Sequence, residues 1–145
     1  MIQIVDNHPR YWPFIGHLRS DPRVQRGFID QISSIDKERQ AAHMLARGDR
    51  YVVAVTEAEG VVGYARSFDG DIGICVSPDH QGEGIGRMLV GEILRRYPDS
   101  FARIKADNPE SLRLFRRCGF SQSGEISILQ ADGSSINAII MQPAR

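Results

Sequence analysis

The sequence predicts an α+β architecture, a mixed and mostly antiparallel central sheet flanked by helices, and three observations predict it. Apolar residues recur at helical spacing through the first third of the chain. The next stretch switches to short β-rich runs separated by turn dipeptides, as in a hairpin meander. The remainder alternates single helices with strands and closes on Asp132-Gly133, a strong hairpin signal.

Taken in order, Ile2 and Ile4 with their polar alternates read as a short strand, and Asp6 to Pro13, with two prolines, reads as loop or helix entry. Tyr11 to Arg19 carries Trp12, Phe14, Ile15 and Leu18 at helical spacing. Asp21-Pro22 looks like an N-cap with proline at the first helical position, opening a helix with Val24, Phe28, Ile29 and Ile32 on one side. Ser33 to Asp36 matches a capping box before a third helical stretch with Ala41, Met44 and Leu45, which Gly48 stops.

Three antiparallel strands are expected at Tyr51 to Val55, Val61 to Ala65 and Ile72 to Val76, separated by Glu59-Gly60 and Asp69-Gly70. Gly84 to Tyr97 returns to helical spacing and Pro98 closes it. Phe101 to Lys105 is a strand, Asn108-Pro109 caps a short helix ended by Gly119, and Glu125 to Leu129 and Ser135 to Met141 are the final strand pair.

Composition sets the outer limits. The 145 residues, 41% hydrophobic and 25% charged, fit one domain spanning residues 1 to 145 and exclude fibrous and disordered classes. Eighteen Lys and Arg balance 18 Asp and Glu, so no net field favours nucleic acid or an anionic membrane. Cys75 and Cys118 belong to no CxxC or Cys/His cluster, which suggests neither a disulfide framework nor a metal site and fits a reducing cytoplasm. No apolar run approaches the ~18 residues of a membrane span, and the N-terminus has no export pattern. The sequence leaves open whether the chain pairs as a homodimer.

The most informative stretch runs from Val76 to Arg87, between an expected strand and an amphipathic helix. Gly82, Gly84 and Gly86 let the backbone approach a ligand, and the N–H groups at the following helix start favour an anion. A dinucleotide fingerprint would need glycine where Arg87 stands, and a P-loop would need Gly-Lys-Ser/Thr where Gly86-Arg87-Met88 stands. Both fail.

The stretch does resemble the acyl-CoA signature of the GCN5-related N-acetyltransferases (GNAT): Val76-Ser77-Pro78, then Gln81-Gly82-Glu83-Gly84-Ile85-Gly86. A second run, Asn108-Pro109-Glu110-Ser111-Leu112-Arg113-Leu114-Phe115-Arg116-Arg117-Cys118-Gly119-Phe120, is similar to the family's Asn-x-x-Ala/Ser-x-x-Leu-Tyr-x-x-x-Gly-Phe. The element order agrees over nearly the whole chain.

This resemblance implies a sheet that splays beside the strand ending at Val76. It further implies acetyl-CoA as acetyl donor, with no metal, and a small-molecule primary amine as acceptor. Backbone groups around Ile74, Cys75 and Val76 would bond the pantetheine arm like an added strand. The loop Gln81, Gly82, Glu83, Gly84, Ile85, Gly86 would hold the pyrophosphate. Asn108 would contact pantetheine, or serve as an N-cap, or both. Arg87 either joins the phosphate clamp or is a solvated helix residue.

The implied mechanism is direct attack of a neutral amine on the thioester, with the backbone near Val76 donating to the oxyanion. Where many members carry a tyrosine acid this chain has Phe115, which has no proton to give; Ser111, one turn earlier, and Cys118 are either substitutes or capping and packing residues, and water is the further alternative. Asp69 and Asp71 either relay the amine's proton through water or simply form a turn, and His80 points to solvent near the phosphates. Acceptor classes left open are an amino sugar or other small amine, a protein N-terminus or lysine, and none at all in a silent acyl-CoA-binding module.

Overall fold

The computed structural model describes residues 1–29, 37–57 and 60–144. Strand β1 (Gln3–Asp6) leads through a 3-10 turn (Pro9–Tyr11) into α1 (Trp12–Ser20) and the short α2 (Pro22–Gln25), followed by α3 (Lys37–Arg47). Next come β2 (Tyr51–Thr56), β3 (Gly60–Phe68) and β4 (Asp71–Val76), then α4 (Ile85–Arg96), β5 (Ala102–Lys105), α5 (Pro109–Arg117), β6 (Phe120–Leu129) and β7 (Ser135–Pro143). The strands form two antiparallel sheets, β1-β2-β3-β4 and β5-β7-β6.

The expected order therefore stands, with differences of extent, among them β3 running on to Phe68 and β7 to Pro143. The helix opened by Asp21 is a single turn, although its cap is as expected: Pro22 is first and Asp21 Oδ1 accepts the Arg23 N–H at 2.8 Å. Arg26 to Ile29 follow as turn and bend, so Phe28 and Ile29 stand beyond the helix, while Ile32 and the capping box at Ser33 to Asp36 lie outside the described residues. Strand β6 starts five residues before Glu125, at Phe120, because a bulge between Gln122 and Gly124 absorbs a polar stretch whose periodicity does not read as strand.

Both faces of the four-stranded sheet are covered, which explains the unbroken apolar run of β2. Val52 and Ala54 face a core shared with Ile85, Leu89, Val90 and Ile93 of α4 and Leu112 and Phe115 of α5. Tyr51 and Val53 face a second core with Ile15 of α1 and Met44 of α3. Each fully buried aliphatic of α4 contributes about 1.5–3 kcal/mol. Gly63 on β3 permits this closeness: a Cβ there would sit 2.9 Å from the Cys75 carbonyl and 3.2 Å from Leu89.

Strands β4 and β5 touch at one end and then diverge. The Ile72 N–H donates to the Phe101 carbonyl at 2.9 Å and the Phe101 N–H donates to Gly70 at 2.8 Å, forming a lone parallel bridge between Asp71 and Phe101. Among the described residues no strand pairs with β4 on that side beyond Ile72.

Candidate functional site

The divergence leaves an open strand edge. Backbone groups on a strand alternate sides residue by residue. Ile72 reaches across to Phe101 while Ser77 donates back to Val62 of β3, so the polar groups of Ile74 and Val76 face the opening. The Cys75 side chain instead packs in the second core beside Tyr64, and burial pushes its thiol up to about 12.

This edge forms one wall of a groove of about 1140 Å³, whose other wall is α5 with Asn108, Ser111 and Leu114. Its lining carries six cationic side chains, Arg23, Arg26, Arg87, Lys105, Arg113 and Arg117, against Asp107 and Glu110, so the groove suits an anion.

The loop from Ser77 to Gly84 closes the groove's end. Gln81 Nε2 donates to the Val76 carbonyl at 3.1 Å and folds the loop back on the strand. Gly82 and Gly84 both adopt φ of +80°, and Gly84 caps α4 in the left-handed region that a side chain would strain. Gly86 has a different reason to be glycine: a Cβ there would meet Leu114 at 3.0 Å, so its absence lets α4 and α5 close together. Ile85 is buried beneath the loop, and exposed Arg87 stands on the groove wall. Glu83 turns off the wall to meet His80 Nδ1 at 3.0 Å.

On α5, Asn108 Oδ1 accepts the Ser111 N–H at 3.3 Å, so the N-cap role is real. Its Nδ2 lies 3.0 Å from where a Gly27 Cβ would be. The groove continues past Gly27, Phe28, Ile74, Asn108 and Ser111 into an inner cavity of about 380 Å³. Phe115 lines that cavity, with its ring edge-to-face against Phe120 at 5.0 Å. Cys118 and Asp69 line neither space; Asp69 sits in the β3–β4 turn at φ +52°. Val76 lines the outer groove.

The inner cavity contains residues that sequence reasoning passes over: Arg19 of α1, Arg66 of β3, Arg103 of β5, Tyr51 and Tyr64. Asp71 is present, but its Oδ2 is held by Arg103 at 2.7 Å, so it enters as half of an ion pair. Among the described residues, three guanidiniums against one carboxylate leave the cavity positive.

Arg66 lies over the Phe68 ring at 4.3 Å and donates to the Asp71 carbonyl at 2.8 Å, crossing Gly73, where a Cβ would fall 2.5 Å from its Cζ. A glycine inside a strand, Ile72-Gly73-Ile74, is the available signal for such a crossing. Arg19 Nη1 donates to Gln40 at 3.3 Å.

Behind Tyr51, His43 Nε2 lies 2.8 Å from the phenol oxygen. Burial, with Arg19, Arg47 and Arg66 nearby, lowers the His43 pKa. Burial raises Tyr51, and raises Tyr64 well above the ordinary phenol value.

Residues 8–120 match the model of the acetyltransferase (GNAT) family. An L-amino acid N-acyltransferase, MnaT, of Escherichia coli is 40% identical over 86 residues, 48% of this chain and 50% of that protein. An L-methionine sulfoximine/L-methionine sulfone acetyltransferase of Salmonella typhimurium is 37% identical over 92 residues, 52% of this chain and 54% of that protein. The matches thus span about half the length of these curated relatives. In fold, the chain is similar to a phosphinothricin acetyltransferase of Sinorhizobium meliloti solved with acetyl-CoA, with a TM-score of 0.74 at 21% identity, covering 97% of this chain and 86% of that one. No helix among the described residues is long and apolar enough to cross a membrane. With two spaced motifs, the splayed sheet and a family match over most of its length, the chain belongs to the GNAT acetyltransferase family.

Proposed function

We propose that the protein transfers the acetyl group of acetyl-CoA to the amine of a small carboxylate-bearing molecule, an amino acid in the first instance. The observation that carries this reading is the continuity of a cationic groove with a small, positively charged cavity, meeting at Ile74 and Ser111. Acetyl-CoA supplies the activated thioester. The open polar edge at Ile74, continued at Val76 whose carbonyl also accepts Gln81 Nε2, takes the pantetheine amides, and the loop from Gln81 to Gly86, with the N-terminus of α4, takes the pyrophosphate. The Val76 N–H donates to the developing oxyanion. Ser111, on the seam between the two spaces, protonates the leaving thiolate directly or through water, since Phe115 has no acidic proton.

Arg19 and Arg66 give the acceptor's carboxylate its partner and hold the amine in line with the thioester. The names of the two curated relatives support an amino acid, and nothing comparable supports an amino sugar. A cavity of about 380 Å³ fits a free amino acid more readily than a folded protein's lysine.

Thiol release from acetyl-CoA should be measured against L-amino acids including methionine sulfone, against nucleotide-linked amino sugars, and against peptides. Turnover highest with free amino acids, and lost when the carboxylate is amidated, is the expected result. Preference for peptides or amino sugars would overturn the acceptor assignment. Acetyl-CoA binding without turnover on any amine would make the protein a silent acyl-CoA-binding module.

A further inference from the structure

We infer that Tyr51 and His43 form the route by which the acceptor's ammonium group loses its proton, an inference that rests on the acetyl-transfer reading above. An amine attacks only when neutral, and most amines of this class arrive protonated. The inner cavity therefore needs an acceptor for one proton and an exit for it. Its one carboxylate among the described residues, Asp71, is committed to Arg103. Among the described residues of its wall, the Ser111 hydroxyl is assigned to the leaving thiolate and the remaining hydroxyls are phenolic; of the two phenols, Tyr51 is the one with a histidine behind it.

Tyr51 opens β2 with its ring fixed between Tyr64 at 5.5 Å and Phe68 at 5.8 Å. It is 2% exposed, yet it lines the inner cavity. Its hydroxyl is 2.8 Å from His43 Nε2. His43 is set back from the cavity on α3, half-buried, with its ring edge-on to Phe68 at 5.7 Å. The pair thus connects the inner cavity to solvent on the side away from the groove.

Among the described residues, the charged groups facing His43 are all positive: Arg19 from α1, Arg47 from its own helix and Arg66 from β3. Together with burial they favour the unprotonated imidazole, and the relay uses the tautomer that carries its hydrogen on Nδ1 and turns the Nε2 lone pair towards the phenol 2.8 Å away. Tyr51 resists ionisation for the same burial, so tyrosinate does not accumulate.

The step balances as a relay. An ammonium N–H bond breaks as an O–H bond forms on Tyr51, and the original phenolic proton passes to His43 Nε2. The Nδ1 proton then leaves to water, and the amine keeps the electron pair that attacks the thioester carbon. Because the His43 pKa lies below its ordinary 6.5, the competent neutral imidazole persists into mildly acidic solution. The rate falls only as pH drops through that lowered value.

The test is the pH profile of kcat/KM for the acceptor in the native protein, Tyr51→Phe, His43→Gln and the double variant, with acetyl-CoA affinity measured calorimetrically in each. Either single change should cost about 10²-fold, and the double no more than the worse single, since both interrupt one path. In His43→Gln the acidic limb due to the enzyme should vanish, leaving that of the amine itself, while acetyl-CoA affinity stays unchanged and reports an intact fold. An unchanged acidic limb in His43→Gln, or losses that multiply in the double variant, would overturn the relay. A native protein that turns over no amine would overturn the acetyl-transfer reading and the relay with it. Native turnover with an unaltered His43→Gln profile overturns the relay alone.

Discussion

The outer groove presents backbone to its ligand: the Ile74 and Val76 edge, two left-handed glycines and a helix N-terminus. The inner cavity presents the tips of long side chains rooted on α1, β2, β3 and β5. Backbone is the same for every residue, so the groove is specified by where glycine and the strand end fall in one short run. Side-chain tips depend on tertiary placement, so the cavity is assembled from residues scattered from position 19 to position 115. The groove can therefore serve a fixed ligand across many acceptors, while the cavity can change residue by residue.

That division can be broken from either side, and the largest effect is expected at Gly84. Gly84→Val places a β-branched residue at φ +80° and misdirects the first N–H groups of α4. Losing two charge-assisted hydrogen bonds of about 1.5–3 kcal/mol each should weaken acetyl-CoA by at least roughly 100-fold, read by calorimetry, with acceptor KM little changed. An equal rise in both constants would mean that the two spaces are not separable.

Arg66→Met is the converse experiment. Removing one guanidinium should raise acceptor KM by about 10- to 100-fold, equivalent to one charged hydrogen bond, and leave acetyl-CoA affinity alone. Gly73→Ala sharpens it without touching the arginine. Its new Cβ displaces the flexible tip of Arg66, so acceptor KM should rise several-fold in steady-state assays with little loss of melting temperature. If Gly73→Ala were silent while Arg66→Met was not, the guanidinium would bind from another pose.

The seam gives a smaller effect. Phe115→Tyr adds a hydroxyl at the cavity wall and should raise turnover by less than the roughly 10²–10⁴-fold of a fully positioned acid, because Phe115 is anchored against Phe120. Ser111→Ala should lose turnover in the native background and much less when combined with Phe115→Tyr. Insensitivity of turnover to both changes, with proton transfer shown to limit the rate by a solvent isotope effect, would remove α5 from the chemistry.

The smallest effect lies away from both spaces. Arg95 and Arg96 hydrogen-bond Glu92 and hold its carboxyl down to about 2 from its ordinary 4.5. The lowered value means this support is complete above about 4.5 and is lost as pH falls towards 2. Glu92→Gln should lower the melting temperature at neutral pH by the equivalent of at most about 1 kcal/mol, with the difference closing in acid and both KM values untouched.

The sequence carries the groove almost whole and the cavity hardly at all. Gln81, Gly82, Gly84 and Asn108 are legible because each does a local job within a few residues, a turn, a cap or a helix start. The reason for Gly86 is not, since it is Leu114, far along the chain on α5, that forbids a side chain there. Arg66 escapes notice because the apolar run of β3 ends at Ala65, whereas the strand continues to Phe68 with Arg66 turned inwards. His43 reads only as a histidine without metal spacing. Its partner at Tyr51 comes from the start of the next strand, and no periodicity relates the two.

The parting of β4 from β5 also bears on how the protein exchanges hydrogen with solvent. Ile74 and Val76 lie on β4 between β3 and the second sheet, where a continuous sheet would make their amides among the slowest to exchange, yet their N–H groups open onto the groove. In ligand-free protein they should take up deuterium on the timescale of a loop, while the amide of Cys75, bonded towards β3, stays protected. A cosubstrate lying along the edge reverses this for the two exposed amides alone. Three consecutive residues of one strand then record occupancy as an alternating isotope pattern, without any turnover being required.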